Sequence, residues 1–197
     1  GLAPAVWGGY EAERIELLNG ELQSQSVEYQ LIAVENRVGD GIGLQYEAEQ
    51  EQLDEDFEIY DGIVIPLGHY SFGNTRISFE TADHRKVWGG IEYQTGDFYD
   101  GERKQIEAEI NWRPSGRLGT GFGYEFNDIR LPAGNVVTRL TSFQTDVAFS
   151  SKLSWVTRIQ YDNVTEVMGV NLRLHWVPEA GREGFLVLNH DLEDFDL

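Results

Sequence analysis

The sequence predicts an all-β protein, an antiparallel up-and-down meander forming a transmembrane β-barrel or part of one. Three observations carry this: strict period-two alternation, aromatics near strand ends, and charge on the face opposite the apolar one. The alternation is clearest in the hairpin of residues 152–176. Leu153, Trp155, Thr157, Ile159 and Tyr161 share one parity, and Lys152, Ser154, Arg158 and Gln160 the other. The return strand sets Val170, Leu172, Leu174 and Trp176 against Asn171, Arg173 and His175. Successive strand side chains point to opposite faces, so both strands have one apolar and one polar face.

Turn signals divide the chain into about ten predicted strands: 27–38, 42–52, 70–80, 85–95, 104–113, 117–127, 136–149, 152–162, 167–177 and 183–190. Tight connections are expected at Gly39-Asp-Gly41, Ala82-Asp-His84, Pro114-Ser-Gly116, Ser150-Ser151 and Pro178-Glu-Ala-Gly181. Longer polar ones alternate with them at 54–69, 96–103, 128–135 and 162–166. Gly, Pro, Asn and Asp supply the backbone angles such turns need. A meander with its two ends in different compartments produces this short–long order. Residues 11–18 read either as two helical turns or as a strand end, because Gly8-Gly9 and Asn19-Gly20 bracket them. No domain boundary is visible, so residues 1–197 read as one barrel region.

The parity extends along the chain. An outward set is expected at Ile106, Ala108, Ile110 and Trp112; at Leu118, Thr120, Phe122, Tyr124 and Phe126; and at Phe143, Thr145, Val147 and Phe149. Within it, Tyr93, Trp112, Tyr124, Phe149, Trp155, Tyr161 and Trp176 form the expected lipid-facing girdles. The expected lumen-facing set includes Glu92, Glu107, Glu109, Arg113, Glu125, Arg158, Arg173 and His175, with Gln94, Asn111 and Asp146. A dry core would accept these charges only if they were paired. Gly119, Gly121 and Gly123 alternate on the same inward face, where glycine allows a bend or a close approach.

Composition narrows the classes. The chain has 197 residues, 41% of them hydrophobic, so disorder is not expected. Mean hydropathy is -0.39, and no apolar run reaches the roughly 18 residues of a spanning helix. A net charge of -19, from 34 acidic and 15 basic residues, argues against nucleic acid as a partner. With no cysteine, disulfides and thiolate metal sites are excluded.

Particular motifs then leave generic β-sequence behind. They are Gly96-Asp-Phe-Tyr-Asp-Gly101, Trp112-Arg-Pro-Ser115, Tyr124-Glu-Phe-Asn-Asp128, Leu131-Pro-Ala-Gly134, Val147-Ala-Phe-Ser150, Ile159-Gln-Tyr-Asp-Asn-Val164 and Gly184-Phe-Leu-Val-Leu-Asn189. Phe57-Glu-Ile, Asp61-Gly-Ile-Val-Ile-Pro66 and Gly68-His-Tyr70 fit the same pattern. In this order, over roughly 15–190, they resemble the C-terminal outer-membrane barrel region of a family of uncharacterised bacterial proteins. That family carries an N-terminal carbohydrate-binding-like sandwich of family-9 type. The resemblance implies a Gram-negative outer-membrane location, and a pore, transport element or anchor for a periplasmic sugar-binding domain. It also implies that the chain is a C-terminal fragment whose partners are lipid, the rest of its own barrel and, as a candidate, carbohydrate.

Enzymatic signals are thin. Glu107 and Glu109 would share one strand face about 7 Å apart, and a glycan hydrolase needs two carboxyls flanking one bond. A solvated lumen stripe is the simpler account of them, and no catalytic residue is assigned. His69, His84, His175 and His190 show no metal-ligand spacing, so neither metal nor cofactor is expected. His175 is expected to join Arg173 and Glu109 in a lumen network. The aromatic and acidic residues of the longer connections, Asp97, Phe98, Tyr99, Asp100, Asp128, Asp162 and Asn163, read as loop packing over a barrel mouth. A soluble carbohydrate-binding module is the competing class.

Overall fold

The structure, a computed structural model, describes residues 4–17, 20 and 22–193. Among them are thirteen strands and no helix. They are β1 (Ala5–Glu16), β2 (Leu22–Glu35), β3 (Gly41–Leu53), β4 (Phe57–Tyr60), β5 (Ile63–Ile65), β6 (Gly68–Glu80), β7 (Val87–Phe98), β8 (Gly101–Ser115), β9 (Leu118–Leu131), β10 (Gly134–Ser150), β11 (Leu153–Asp162), β12 (Val167–Glu179) and β13 (Arg182–Leu192). Eleven form one antiparallel meander in the order β1-β2-β3-β6-β7-β8-β9-β10-β11-β12-β13. β4 and β5 form a separate two-stranded sheet. Among the described residues no ladder joins β1 to β13.

Of the two readings left open for residues 11–18, the strand holds: residues 11–16 belong to β1, while Leu18 and Asn19 lie outside the described residues. Tyr10, Ala12 and Arg14 take Tyr29, Val27 and Gln25 of β2 as partners, and this pairing overrides a weak local helix signal. The expected long connections at 96–103 and 128–135 shrink to Tyr99-Asp100 and Pro132-Ala133. Gly96, Asp97, Asp128 and Asn135 sit within extended strands and do not end them. Of the segment 54–69, residues 54–67 do stay out of the main sheet and hold the β4–β5 hairpin, while Gly68 and His69 already belong to β6.

The chain divides into two compact units. Unit 1 holds Gly1–Glu80, Ile91–Ile106 and Asn127–Val137; unit 2 holds Thr81–Gly90, Glu107–Phe126 and Thr138–Leu197. In unit 1 the register aligns apolar rows across four strands: Val6, Val34, Ile42 and Phe79, then Tyr10, Tyr29, Tyr46 and Thr75. The alternate rows are polar: Glu28, Glu47 and Asn74, then Gln30, Gln45 and Arg76. A bulge between Gln30 and Ile32 absorbs Leu31, so Ile32 joins Leu44 and Ile77 on the apolar face.

Unit 2 repeats the pattern. Phe143, Ile159 and Val170 align, as do Thr145, Thr157, Leu172 and Leu188, and Val147, Trp155, Leu174 and Leu186. The opposite face aligns Gln144, Arg158, Asn171 and Asn189. The predicted hairpin is therefore present, with a register that runs from Leu153 opposite Trp176 to Tyr161 opposite Met168. Phe149 sits at a bulge, which sets Ser150 opposite Leu153.

Little of this surface is dry. The buried hydrophobic side chains among the described residues are Ala33, Ile65, Phe72, Ala82, Ile129 and Leu131. Ile65 is the deepest, 1% exposed, and packs with Ile129 and Leu131.

At Gly89 the ladder comes so close that a side chain has no room. A Cβ there would lie 2.1 Å from the Glu109 carbonyl oxygen. Gly89→Ala should therefore lower the denaturant unfolding midpoint, at a cost of about 1–3 kcal/mol. Gly116→Ala, whose Cβ would meet open space, should leave the midpoint unchanged.

Candidate functional site: the polar face and its hairpin

In unit 1 the polar face of β2, β3, β6 and β7 carries a connected set of amides and charges. Gln45 donates to Glu28 Oε1 (3.0 Å) and to Gln30 Oε1 (2.8 Å). Asn74 donates to Glu49 Oε1 (3.3 Å) and accepts from Gln94 Nε2 (2.7 Å). Arg76 donates to Gln94 Oε1 (3.3 Å), and its Nε pairs with Glu92 at 3.1 Å. That Nε makes an ion pair without an aligned hydrogen bond. Gln94 is 4% exposed and Asn74 is 5% exposed, so their amides depend on one another.

One end of this face is capped. Leu53, Tyr70 and Phe98 share strand faces with Glu51, Asn74 and Gln94, yet pack against the Ile65 cluster. Tyr70, Phe72, Phe98 and Tyr99 contact one another edge-on or tilted, with centroids 4.9–6.1 Å apart. Tyr99 donates to Glu51 Oε2 (2.7 Å). Burial, then this hydrogen bond, push its hydroxyl well above the usual tyrosine range, so it remains a donor.

Unit 2 has its own polar face. Arg158 donates to Gln144 Oε1 (3.2 Å), and Gln144 donates to Asp146 (2.8 Å). Asn171 donates to Asn189. His175 pairs with Glu183 at 3.0 Å and stacks on Phe185, and the Arg173 guanidinium lies 4.7 Å from that ring's centre. Glu183, on the neighbouring strand β13, is thus the His175 partner, where the sequence suggested Glu109. Glu109 lines a groove of about 280 Å³ with Asn111, Arg113, Ser142, Gln144 and Asp146. Its floor is Gly119, Gly121 and Gly123; a Cβ at Gly121 or Gly123 would stand 2.7 Å from Asn111 Oδ1 or 2.6 Å from Ser142 Oγ. The Arg113 guanidinium sits 4.7 Å from the Trp88 ring centre at its side. Such a lining can hydrogen-bond hydroxyl-bearing solutes.

Of the other residues singled out by sequence, Glu107 and Glu125 lie on β8 and β9, Glu107 exposed and Glu125 half-buried. Trp112 is exposed on β8, while Trp155, Tyr161 and Trp176 occupy apolar rows. Tyr93 and Tyr124 lie well inside their strands, because β7 and β9 run on to Phe98 and Leu131. Among the described residues no cluster of His, Asp and Glu could hold a metal ion. The sequence reading placed Glu92 and Gln94 of the unit 1 network on the inward face but missed Gln30, Gln45, Asn74 and Arg76, although Gln45, Glu47, Glu49 and Glu51 alternate with Leu44, Tyr46 and Ala48.

No family model, curated protein or solved structure matches the chain. Function is therefore read from the two faces themselves.

The unit 1 network carries a direct test. Gln94→Ala removes the donor to Asn74 Oδ1 and the acceptor of Arg76 Nη2, leaving Asn74 only Glu49 and Arg76 only Glu92, and should cost about 1–3 kcal/mol in unfolding free energy. Glu107→Gln, on an exposed carboxylate, should change it by less than about 0.5 kcal/mol.

Proposed function

We propose that this chain is wall of a bacterial outer-membrane β-barrel, serving as a pore or transport element. The observation that carries the reading is the exposed apolar face. Ile42, Ile77 and Phe79 of unit 1 are 45–57% exposed, and Leu186 and Leu188 of unit 2 are 66% and 55% exposed. These belong to continuous cross-strand rows and are not scattered singly. An uncovered apolar surface of that extent is unstable in water, while hydrocarbon accepts it.

Strand length supports the same reading. The ten residues of β11 rise about 33 Å, and at a tilt of about 40° they span the roughly 25 Å apolar band of an outer membrane. The polar faces would then border water, which accommodates Glu92, Arg158 and Arg173 at low cost. A soluble module that binds carbohydrate would need a second layer over the apolar rows.

Tryptophan placement supplies the experiment. Trp155 and Trp176 lie on the apolar face, and Trp88 lines the polar groove. In single-tryptophan variants folded into vesicles, brominated lipid should quench Trp155 and Trp176 and spare Trp88. Equal quenching of all three, or a protein that stays monodisperse in plain buffer, would sink the proposal. Leu172→Arg, in the middle of an apolar row, should cost about 2–4 kcal/mol of folding free energy in lipid.

A further inference from the structure

Leu53 and Gly68 are cross-strand partners at the ends of β3 and β6. A tight turn could join them, as Tyr99-Asp100 joins β7 to β8. Residues 54–67 therefore exceed what the connection requires. They form the β4–β5 hairpin, whose two-residue loop Asp61-Gly62 sits between partners Tyr60 and Ile63.

This hairpin is held against the polar-face side of the wall. Ile65 reaches Ile129 and Leu131 on β9, beyond β7 and β8 in the strand order. Neighbouring strands are about 4.8 Å apart, so that reach from β6 corresponds to about 14 Å along the sheet. Polar contacts fix the segment: Tyr70 Oη donates to the Pro66 carbonyl (2.7 Å), the Leu67 N–H to Asp56 (2.8 Å), and the Gly62 N–H to Glu58 (2.9 Å). Ile63 stands beside Gly134 at the start of β10. A loop merely draped over the rim would be solvated, yet Ile65 is among the most buried side chains described.

Charge adds a second property. Between 54 and 67 stand Asp54, Glu55, Asp56, Glu58 and Asp61, with no Lys or Arg. Glu49 and Glu51 lie on the strand face that the hairpin caps. Negative charges gathered at a constriction attract cations and repel anions.

Resting on the pore reading above, we propose that the β4–β5 hairpin is the selectivity constriction of the barrel. It narrows the opening and favours cationic and neutral solutes over anionic ones.

Planar-bilayer recordings of the full polypeptide test this. The wild type should be cation-selective by reversal potential in a salt gradient. Replacing residues 54–67 by a short Asn-Gly turn should raise conductance about twofold or more and weaken the cation preference. The triple variant D54N/E55Q/D61N keeps the hairpin's internal hydrogen bonds; it should retain wild-type conductance and lose selectivity. Heat-modifiable migration on a gel checks that each variant is folded. If the wild type conducts and both folded variants match it in conductance and selectivity, the constriction is wrong and the pore reading stands. If the folded wild type inserts but passes no current, the pore reading fails and takes the constriction with it.

Discussion

Everything in this structure depends on the register of the antiparallel ladder. Side chains alternate with period two, so a slip of one residue would carry Leu172 and Leu174 to the face of Arg173 and His175. No dry interior filters such an error, because the sheet is nearly a single layer. The two faces must therefore be kept distinct by pairing alone. The bulges at Leu31 and Phe149 belong to the same constraint: each absorbs one extra residue, so that pairing resumes beyond it, with Ile32 opposite Leu44 after the first and Ser150 opposite Leu153 after the second.

Stability in such a wall has an unusual distribution. Backbone ladders hold the long strands, while buried apolar area is concentrated in one small cluster around Ile65. The polar network of unit 1 contributes by satisfying amides that the sheet would otherwise bury unpaired, as at Gln94 and Asn74. The exposed Arg130–Asp128 pair contributes little by comparison, since solvent screens it. Hydrophobic burial thus stiffens the segment nearest the candidate constriction, and hydrogen bonding maintains the wall.

How far the sequence could be read depends on how regular each element is. The β11–β12 hairpin was legible to the residue because ten consecutive positions alternate without interruption. β1 was not, because Gly8-Gly9 interrupts its alternation and Arg14 and Glu16 put charge on the parity of Tyr10 and Ala12, and its pairing with β2 decides the outcome. The ends of β7 and β9 were hidden by Gly96, Asp97 and Asp128, which resemble turn residues but sit in extended backbone. The β4–β5 hairpin did leave a trace: Asp61-Gly62 is a strong two-residue turn signal, with Gly62 at a φ of 75°. Its strands are only four and three residues long, too short for period to register. The network of Asn74, Arg76 and Gln94 lay beyond reach because it is assembled by lateral pairing between strands, which no single strand displays.

The main sheet has an odd number of strands, and that has a topological consequence. Each ladder reverses the direction of the chain, so β1 and β13, the first and eleventh in order, run in the same sense. Joined directly, these two edges could meet only as a parallel pair. An identical copy set beside it in the same orientation would offer edges of that same sense, and would meet the same obstacle. Antiparallel closure of this wall thus calls for an odd number of intervening strands.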